Sequence, residues 1–219
     1  MDSNTGVGMV LRTGTVADTP AAAALHAGQI SEGFLSFLGP AFLRRLYRRV
    51  VRSPESFLLI AEDGATVVGF LAGSTDVPAL YRAFLLRDGP VAALECSARL
   101  LRSWRRALET LRHGTGGGTG GGTGGGGLGA ELLAIAVDPS AQGRGAGGLL
   151  VRGFLSEIER RGQEAAHVVV AAGNDRAIAL YRRAGFQPVE RFALHAGAES
   201  LLMQWADGAD GADGATTTP

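Results

Sequence analysis

Seven consecutive residues, Gln142-Gly143-Arg144-Gly145-Ala146-Gly147-Gly148, are the part of this 219-residue chain best suited to chemistry. They follow a short apolar run, Glu131 to Val137, and precede a stretch with helical periodicity. A turn from strand to helix leaves N–H groups without intrahelical partners, and the helix dipole adds partial positive charge at the same place. Glycines keep side chains out of the way, so a phosphate can come up against the backbone. The competing reading is an ordinary turn. Four glycines between Gly143 and Gly148 would weaken the start of a helix, however, which favours an anion-binding role.

Gly143, Gly145 and Gly148 also satisfy G-x-G-x-x-G, the dinucleotide fingerprint. That motif places its glycines almost immediately after the strand, with an acidic residue about 20 positions later at the end of the next strand to hold the ribose. Here several residues separate Val137 from Gly143, and the nearest later candidate, Asp175, lies 27 positions beyond Gly148. Too few strands follow to complete a doubly wound sheet, so a nicotinamide-dependent oxidoreductase is disfavoured. A Walker A loop is excluded because the chain contains no lysine.

The bulk composition narrows the partners. Arginine supplies all 21 basic charges against 21 acidic ones, and a net charge of zero argues against a nucleic-acid binder held by counterion release. A single cysteine, Cys96, forms no internal disulfide. The first residues lack a basic segment followed by an apolar one, and no run approaches the roughly 20 apolar residues of a spanning helix. The expectation is a cytoplasmic protein with no membrane partner and a small-molecule or peptide ligand.

Around the glycine loop the pattern alternates strand and helix. Residues 1–6 and the tail 207–219, with its repeated Asp-Gly-Ala, are expected to be disordered, and one domain fills 7–206. Val10 to Thr15 predicts a strand, Asp18 an N-cap, and Pro20 the first turn of a helix through His26. Pro40 to Arg52 predicts a helix burying Phe42, Leu43, Leu46, Tyr47 and Val50, with Arg44, Arg45, Arg48 and Arg49 on the other face. Ser53-Pro54 stops it. Ser56 to Ala61 and Thr66 to Ala72 predict a hairpin around Glu62-Asp63-Gly64. A helical insertion at 78–113, split at Asp88-Gly89-Pro90, precedes a flexible glycine-rich loop at 114–129 holding 12 of the 34 glycines. The basic stripe of Arg99, Arg102 and Arg106 in that insertion is interrupted by Glu95 and Glu109, so a solvated face is preferred to a membrane-binding one. Glu131 to Val137 then predicts a strand buried on both faces. A helix to about Arg161 buries Leu149, Leu150, Phe154, Leu155 and Ile158. Ala166 to Ala171 is a strand, Asn174 to Ala184 a helix ended by Gly185, and Phe192 to His195 with Ser200 to Trp205 a closing strand pair.

The loop resembles the pyrophosphate signature of the GCN5-related N-acetyltransferase superfamily, Q/R-x-x-G-x-G/A, which Gln142 to Gly147 satisfies throughout. A second signature of that family, an Asn followed by A-x-x-L-Y-x-x-x-G-F, stands as Asn174, Ala177, Leu180, Tyr181, Gly185 and Phe186. The resemblance implies an α/β (α+β) acyl-CoA N-acyltransferase fold. Its central sheet would be mixed, mostly antiparallel, with a splayed parallel strand pair and flanking helices. It also implies a bulge in the strand before the loop and acetyl-CoA as co-substrate, with no metal. The backbone of Ile135, Ala136 and Val137 would hold the pantetheine arm, and the loop from Gln142 through Gly143, Arg144, Gly145, Ala146 and Gly147 to Gly148 the pyrophosphate. Asn174 would support the pantetheine or the backbone beside it.

The activity implied is acetyl transfer from acetyl-CoA, by direct attack, to a primary amine of a small molecule, amino sugar or peptide, which needs a neutral nucleophile, a polarised carbonyl and a proton for the leaving thiolate. The resemblance assigns the proton to Tyr181, placed near the thioester sulfur and protonated at neutral pH with a reference pKa of about 10. It assigns the base to Glu131, read as lying on the same side of its strand as Leu133, Ile135 and Val137. A solvated charge at a strand start is the alternative there. Glu32, His26, His167, His195, Glu199 or a water chain stand in reserve. The family's acceptor pocket would fall on Gln29 to Phe34, including Glu32 and Phe34, and on His195 to Ser200. A non-catalytic acyl-CoA-binding domain is the competing function. Dimers are common in the family, which leaves a homodimer open.

Overall fold

The computed structural model describes residues 8–30, 38–89, 129–195 and 198–207. Glu32, Phe34, residues 90–113 of the helical insertion, the glycine-rich loop up to residue 128 and the terminal segments lie outside them. In chain order come β1 (Val10–Thr13), α1 (Thr19–Gln29), α2 (Pro40–Arg52), β2 (Ser56–Asp63), β3 (Thr66–Ser74) and α3 (Val77–Arg87). There follow β4 (Ala130–Val137), α4 (Ala146–Arg160), β5 (Ala165–Ala171), α5 (Asp175–Arg183), β6 (Gln187–His195) and β7 (Ala198–Ala206). The strands form one sheet in the order β1-β2-β3-β4-β5-β7-β6, antiparallel at every junction but β4 to β5. This is the expected mixed sheet. No helix among the described residues is long and apolar enough to cross a membrane.

Both faces of the sheet are covered, and the period-2 alternation of side chains divides the strands between two cores. Phe57, Leu59 and Leu71 meet Leu150, Phe154 and Ile158 of α4 together with Tyr181 and Phe186. Leu58, Ile60, Phe70 and Ala72 meet Ala22 and Ala23 of α1 and Leu43, Tyr47 and Val50 of α2. Two details of the helices differ from the sequence pattern. Arg49 is buried, its Nε donating to Asp88 Oδ2 at 2.6 Å, so the α2 stripe includes a cation matched by a charge just past α3. Asp18 precedes α1 without capping it. Its carboxylate instead takes both terminal nitrogens of Arg12, at 2.7 and 2.8 Å, and the N–H of Thr15 at 2.7 Å, while Arg12 also reaches Glu62 at 2.6 Å. That cluster ties β1 and the approach to α1 to the hairpin.

The feature that shapes the site is the β4–β5 junction. The two strands pair only at Ala130 with Ala166 and Glu131 with His167. Gly129 makes the close start possible: its φ is +71° and a Cβ there would fall 1.9 Å from the carbonyl oxygen of Ala165. Beyond Glu131 the strands diverge, as the splayed pair requires. On its other edge β4 carries an extra residue against β3, since Ala134 pairs with Ala72 and Leu132 with Gly73, leaving Leu133 bulged. The bulge inverts the alternation. Leu132, Ile135 and Val137 pack toward α4, whereas Leu133, Ala134 and Ala136 pack toward α1 and α2. Glu131 lines the α1/α2 side with Leu133. The expected common side with Ile135 and Val137 is therefore corrected: one inserted residue separates them. Leu133 to Ile135 are also half-buried rather than enclosed on both faces, because they border the opening.

Candidate active site

The loop after β4 runs through a short 3-10 turn at Pro139–Ala141 and reaches α4 through two left-handed glycines, Gly143 at φ +77° and Gly145 at φ +93°. At both, the direction of a Cβ is open space within 4 Å, so the backbone is bare toward its surroundings. The first intrahelical donor of α4 is the Leu149 N–H, to Gly145 O at 3.0 Å, which leaves the amides of Ala146, Gly147 and Gly148 without an acceptor one turn back. The side chains of Gln142 and Arg144 brace this turn. Gln142 Nε2 donates to Val137 O at 3.0 Å and to Gln29 Oε1 at 3.3 Å, and its Oε1 accepts from Arg176 of α5. Arg144 pairs with Asp63 of the hairpin at 2.8 Å. An anion is thus offered main-chain N–H groups and the positive end of a 15-residue helix.

α5 is drawn to the same place. The side chain of Leu180 stands 3.2 Å from where a Gly147 Cβ would be, so the start of α4 packs directly on α5. Asn174 caps α5, its Oδ1 accepting the Ala177 N–H at 3.1 Å while its own N–H donates to Ala171 O at 2.9 Å. Tyr181 is 3% exposed, with its ring 5.7 Å from Phe186, and burial raises its hydroxyl above the ordinary range. It belongs to the α4-side core, which also receives Leu132, Ile135 and Val137. Tyr181 and Glu131 therefore lie on opposite faces of the sheet.

On the Glu131 side is a cavity of about 60 Å³. It is lined by His26 of α1, Tyr47 of α2, Tyr81 of α3 and Glu131 of β4, with Leu46, Val50, Ala72, Leu80, Leu133 and Ala134 as its apolar walls. Glu131 Oε2 is shut off from solvent and accepts no hydrogen bond from the described residues, and His167 Nε2 lies 3.5 Å from it. His26 Nδ1 shares a 2.5 Å hydrogen bond with Tyr47 Oη, and burial depresses the His26 imidazole to about 4. Burial likewise raises both tyrosines: Tyr47, with Tyr81 as a secondary cause, and Tyr81, with the Glu131 charge as a secondary cause. Burial thus disfavours a charge on His26, Tyr47 and Tyr81 around Glu131. Of these residues the sequence offered Glu131 and, as reserves, His26 and His167. Tyr47 read only as core, and Tyr81 lay in an insertion without motif. Among the described residues, no group of three or more His, Cys, Asp or Glu could hold a metal ion.

Comparison with known proteins gives a consistent result. Residues 29–186 match the model of the acetyltransferase (GNAT) family. Over 66 residues the chain is 42% identical to mycothiol acetyltransferase of Beutenbergia cavernae, a stretch covering 30% of this chain and 21% of that one. Over 81 residues it is 40% identical to the N-alpha-acetyltransferase RimI of Mycobacterium tuberculosis, covering 36% and 49%. The chain thus spans at most about half the length of these curated relatives. The structure of yncA from Salmonella typhimurium with its cofactor acetyl-CoA superposes with a TM-score of 0.57 over 95% of this chain and 99% of that one. At 15% identity that likeness speaks for the fold.

Proposed function

Since the chain belongs to the GNAT acetyltransferase family, we propose that it transfers an acetyl group from acetyl-CoA to a compact primary amine by direct attack, working in the cytoplasm. The observation that carries this reading is the union of two features at one point: an opening between β4 and β5, and a run of free amides at the head of α4. The bare glycines fit a pyrophosphate, and the unpaired edge of β4 past Glu131 fits an extended arm that bonds like a strand. Gly143 to Gly148 would hold the pyrophosphate, and the backbone of Ile135, Ala136 and Val137 the pantetheine. Gln142, Arg144 and Asn174 would act by fixing the backbone that does so. Acetyl-CoA would supply the activated thioester.

The protein's own groups divide the remaining work. Glu131, beside a cavity with no other acidic or basic group but His26 among its described lining residues, would accept a proton from the incoming ammonium and leave a neutral amine. Tyr181, kept protonated by burial, would donate toward the opening from the other face. A main-chain N–H of β4 would polarise the carbonyl. The small, mostly apolar cavity favours an amine flanked by a short apolar group over an amino sugar, whose hydroxyls would lose their hydrogen bonds to water there. Melting curves and thiol release with acetyl-CoA and a panel of alaninamide, alanine-initiated peptides, glucosamine and NAD test all of this. Acetyl-CoA should raise the melting temperature and alaninamide should release thiol. Stabilisation without thiol release from any amine would favour a non-catalytic acyl-CoA binder. No stabilisation by acetyl-CoA would refute the proposal.

A further inference from the structure

β4 and β5 separate at one pair of residues. Glu131 and His167 are their last Cα partners, and in a parallel register partnered side chains leave the sheet on the same face. His167 is only 4% exposed. Its Nε2 lies 3.5 Å from Glu131 Oε2, the carboxylate oxygen that is closed to solvent and accepts no hydrogen bond from the described residues. A buried carboxylate oxygen without a donor is costly, and the imidazole is the polar group that the sheet register brings to it. Tyr81, Tyr47 and His26 line the same cavity from α3, α2 and α1. Glu131 thus stands between a histidine at the vertex of the splayed strands and the space assigned above to the acceptor.

We propose that His167 is a positioning residue of the acceptor site: it holds Glu131 Oε2 at the vertex, so that Oε1 is presented to the amine. The proposal rests on Glu131 being the base. In the step served, an N–H bond of the ammonium breaks, its electron pair stays on nitrogen, and the proton bonds to Oε1. A cation and a carboxylate become a neutral amine and a carboxylic acid, and His167 takes no part in the proton transfer. A Glu side chain free to rotate would meet the amine in only some of its rotamers. Anchoring one oxygen removes that loss.

The test compares His167→Phe, His167→Gln, Glu131→Gln and the double variant Glu131→Gln/His167→Phe, with acetyl-CoA and alaninamide as substrates. His167→Phe should lower kcat about tenfold with KM for acetyl-CoA unchanged, and His167→Gln, which keeps an N–H donor, should restore most of it. In the Glu131→Gln background the His167 change should have no further effect, because it acts through the carboxylate. A multiplicative loss in the double variant, or a Gln variant as slow as the Phe variant, would overturn the proposal. Wild-type turnover in Glu131→Gln would overturn it by removing the base, a pattern distinct from the failure of His167 alone. Long-range ¹H–¹⁵N imidazole spectra of the wild-type and Glu131→Gln proteins need neither an acceptor nor a His167 variant that folds. The His167 Nε2 resonance should move between them, and an unchanged resonance would refute the contact.

Discussion

Gly145→Glu probes the proposed pyrophosphate cradle with little else disturbed. Gly145 sits at φ +93° just ahead of α4, and no atom lies within 4 Å of where its Cβ would point. The folded state therefore feels the change through the backbone, at about 1–2 kcal/mol for an L-residue held in the left-handed region. A carboxylate at a helix N-terminus returns about 0.3–1 kcal/mol, for a net loss of stability near 1 kcal/mol. The effect on the ligand is larger. At a side chain's reach of about 6 Å and an effective dielectric constant of about 20, the new carboxylate repels each unit of pyrophosphate charge by about 2.8 kcal/mol, roughly a hundredfold in affinity. Calorimetric titration should show acetyl-CoA binding weakened by at least that factor, since the pyrophosphate carries two such charges, with part of the loss recovered in 0.5 M salt as screening shortens the reach of the charge. Acetyl-pantetheine, which lacks the pyrophosphate, should bind nearly as before. Gly145→Ala should show the backbone cost alone. Equal weakening of both ligands, or none of either, would refute the assignment of these amides to the pyrophosphate.

Three further outcomes follow from named contacts. Tyr181→Phe keeps the ring that packs on Phe186 and removes only the hydroxyl, so kcat should fall about a hundredfold with acetyl-CoA affinity and melting temperature nearly unchanged; wild-type kcat would place the acid elsewhere. The paired Arg12 guanidinium, with the Thr15 N–H, holds the Asp18 carboxyl well below the usual carboxylate range. Its stabilisation should be complete above about pH 4, the unfolded value, and be lost progressively in stronger acid. Asp18→Asn should cost about 2 kcal/mol in urea at pH 7 and much less at pH 2, and a pH-independent cost would contradict the ion pair. His26, depressed to about 4 from its ordinary 6.5, is kept neutral in the folded protein. The unfolded chain takes up the proton first, so His26 lowers stability progressively from pH 6.5 to pH 4, by up to about 3 kcal/mol, and no further below. His26→Gln should flatten that part of the urea-midpoint profile, and an unaltered slope would rule the residue out as its source.

Much of the fold was legible because its signals are local. α2 begins at Pro40 and ends at Arg52, as predicted, because a proline at its first position and Ser53-Pro54 after it act through adjacent backbone geometry. Gly185 ends α5 in the same way, at φ +93°. The bulge at Leu133 left no trace in Glu131 to Val137, because an extra residue in a run of apolar side chains breaks no pattern. Arg49 read as a surface charge because its partner, Asp88, is 39 residues away.

The sequence by itself determined the glycine turn, the helix it opens and the two signatures that mark the family. Each depends on residues within a few bonds of one another, where glycine's freedom and the unpaired amides of a helix start are fixed by covalent geometry. Only the tertiary structure decided what surrounds Glu131. His26, Tyr47, Tyr81 and His167 come to it from four elements, and which face it occupies depends on a single bulged residue in the pairing of β3 with β4. Register between distant strands is set by how the two cores fill on either side of the sheet, a collective outcome that no local window contains.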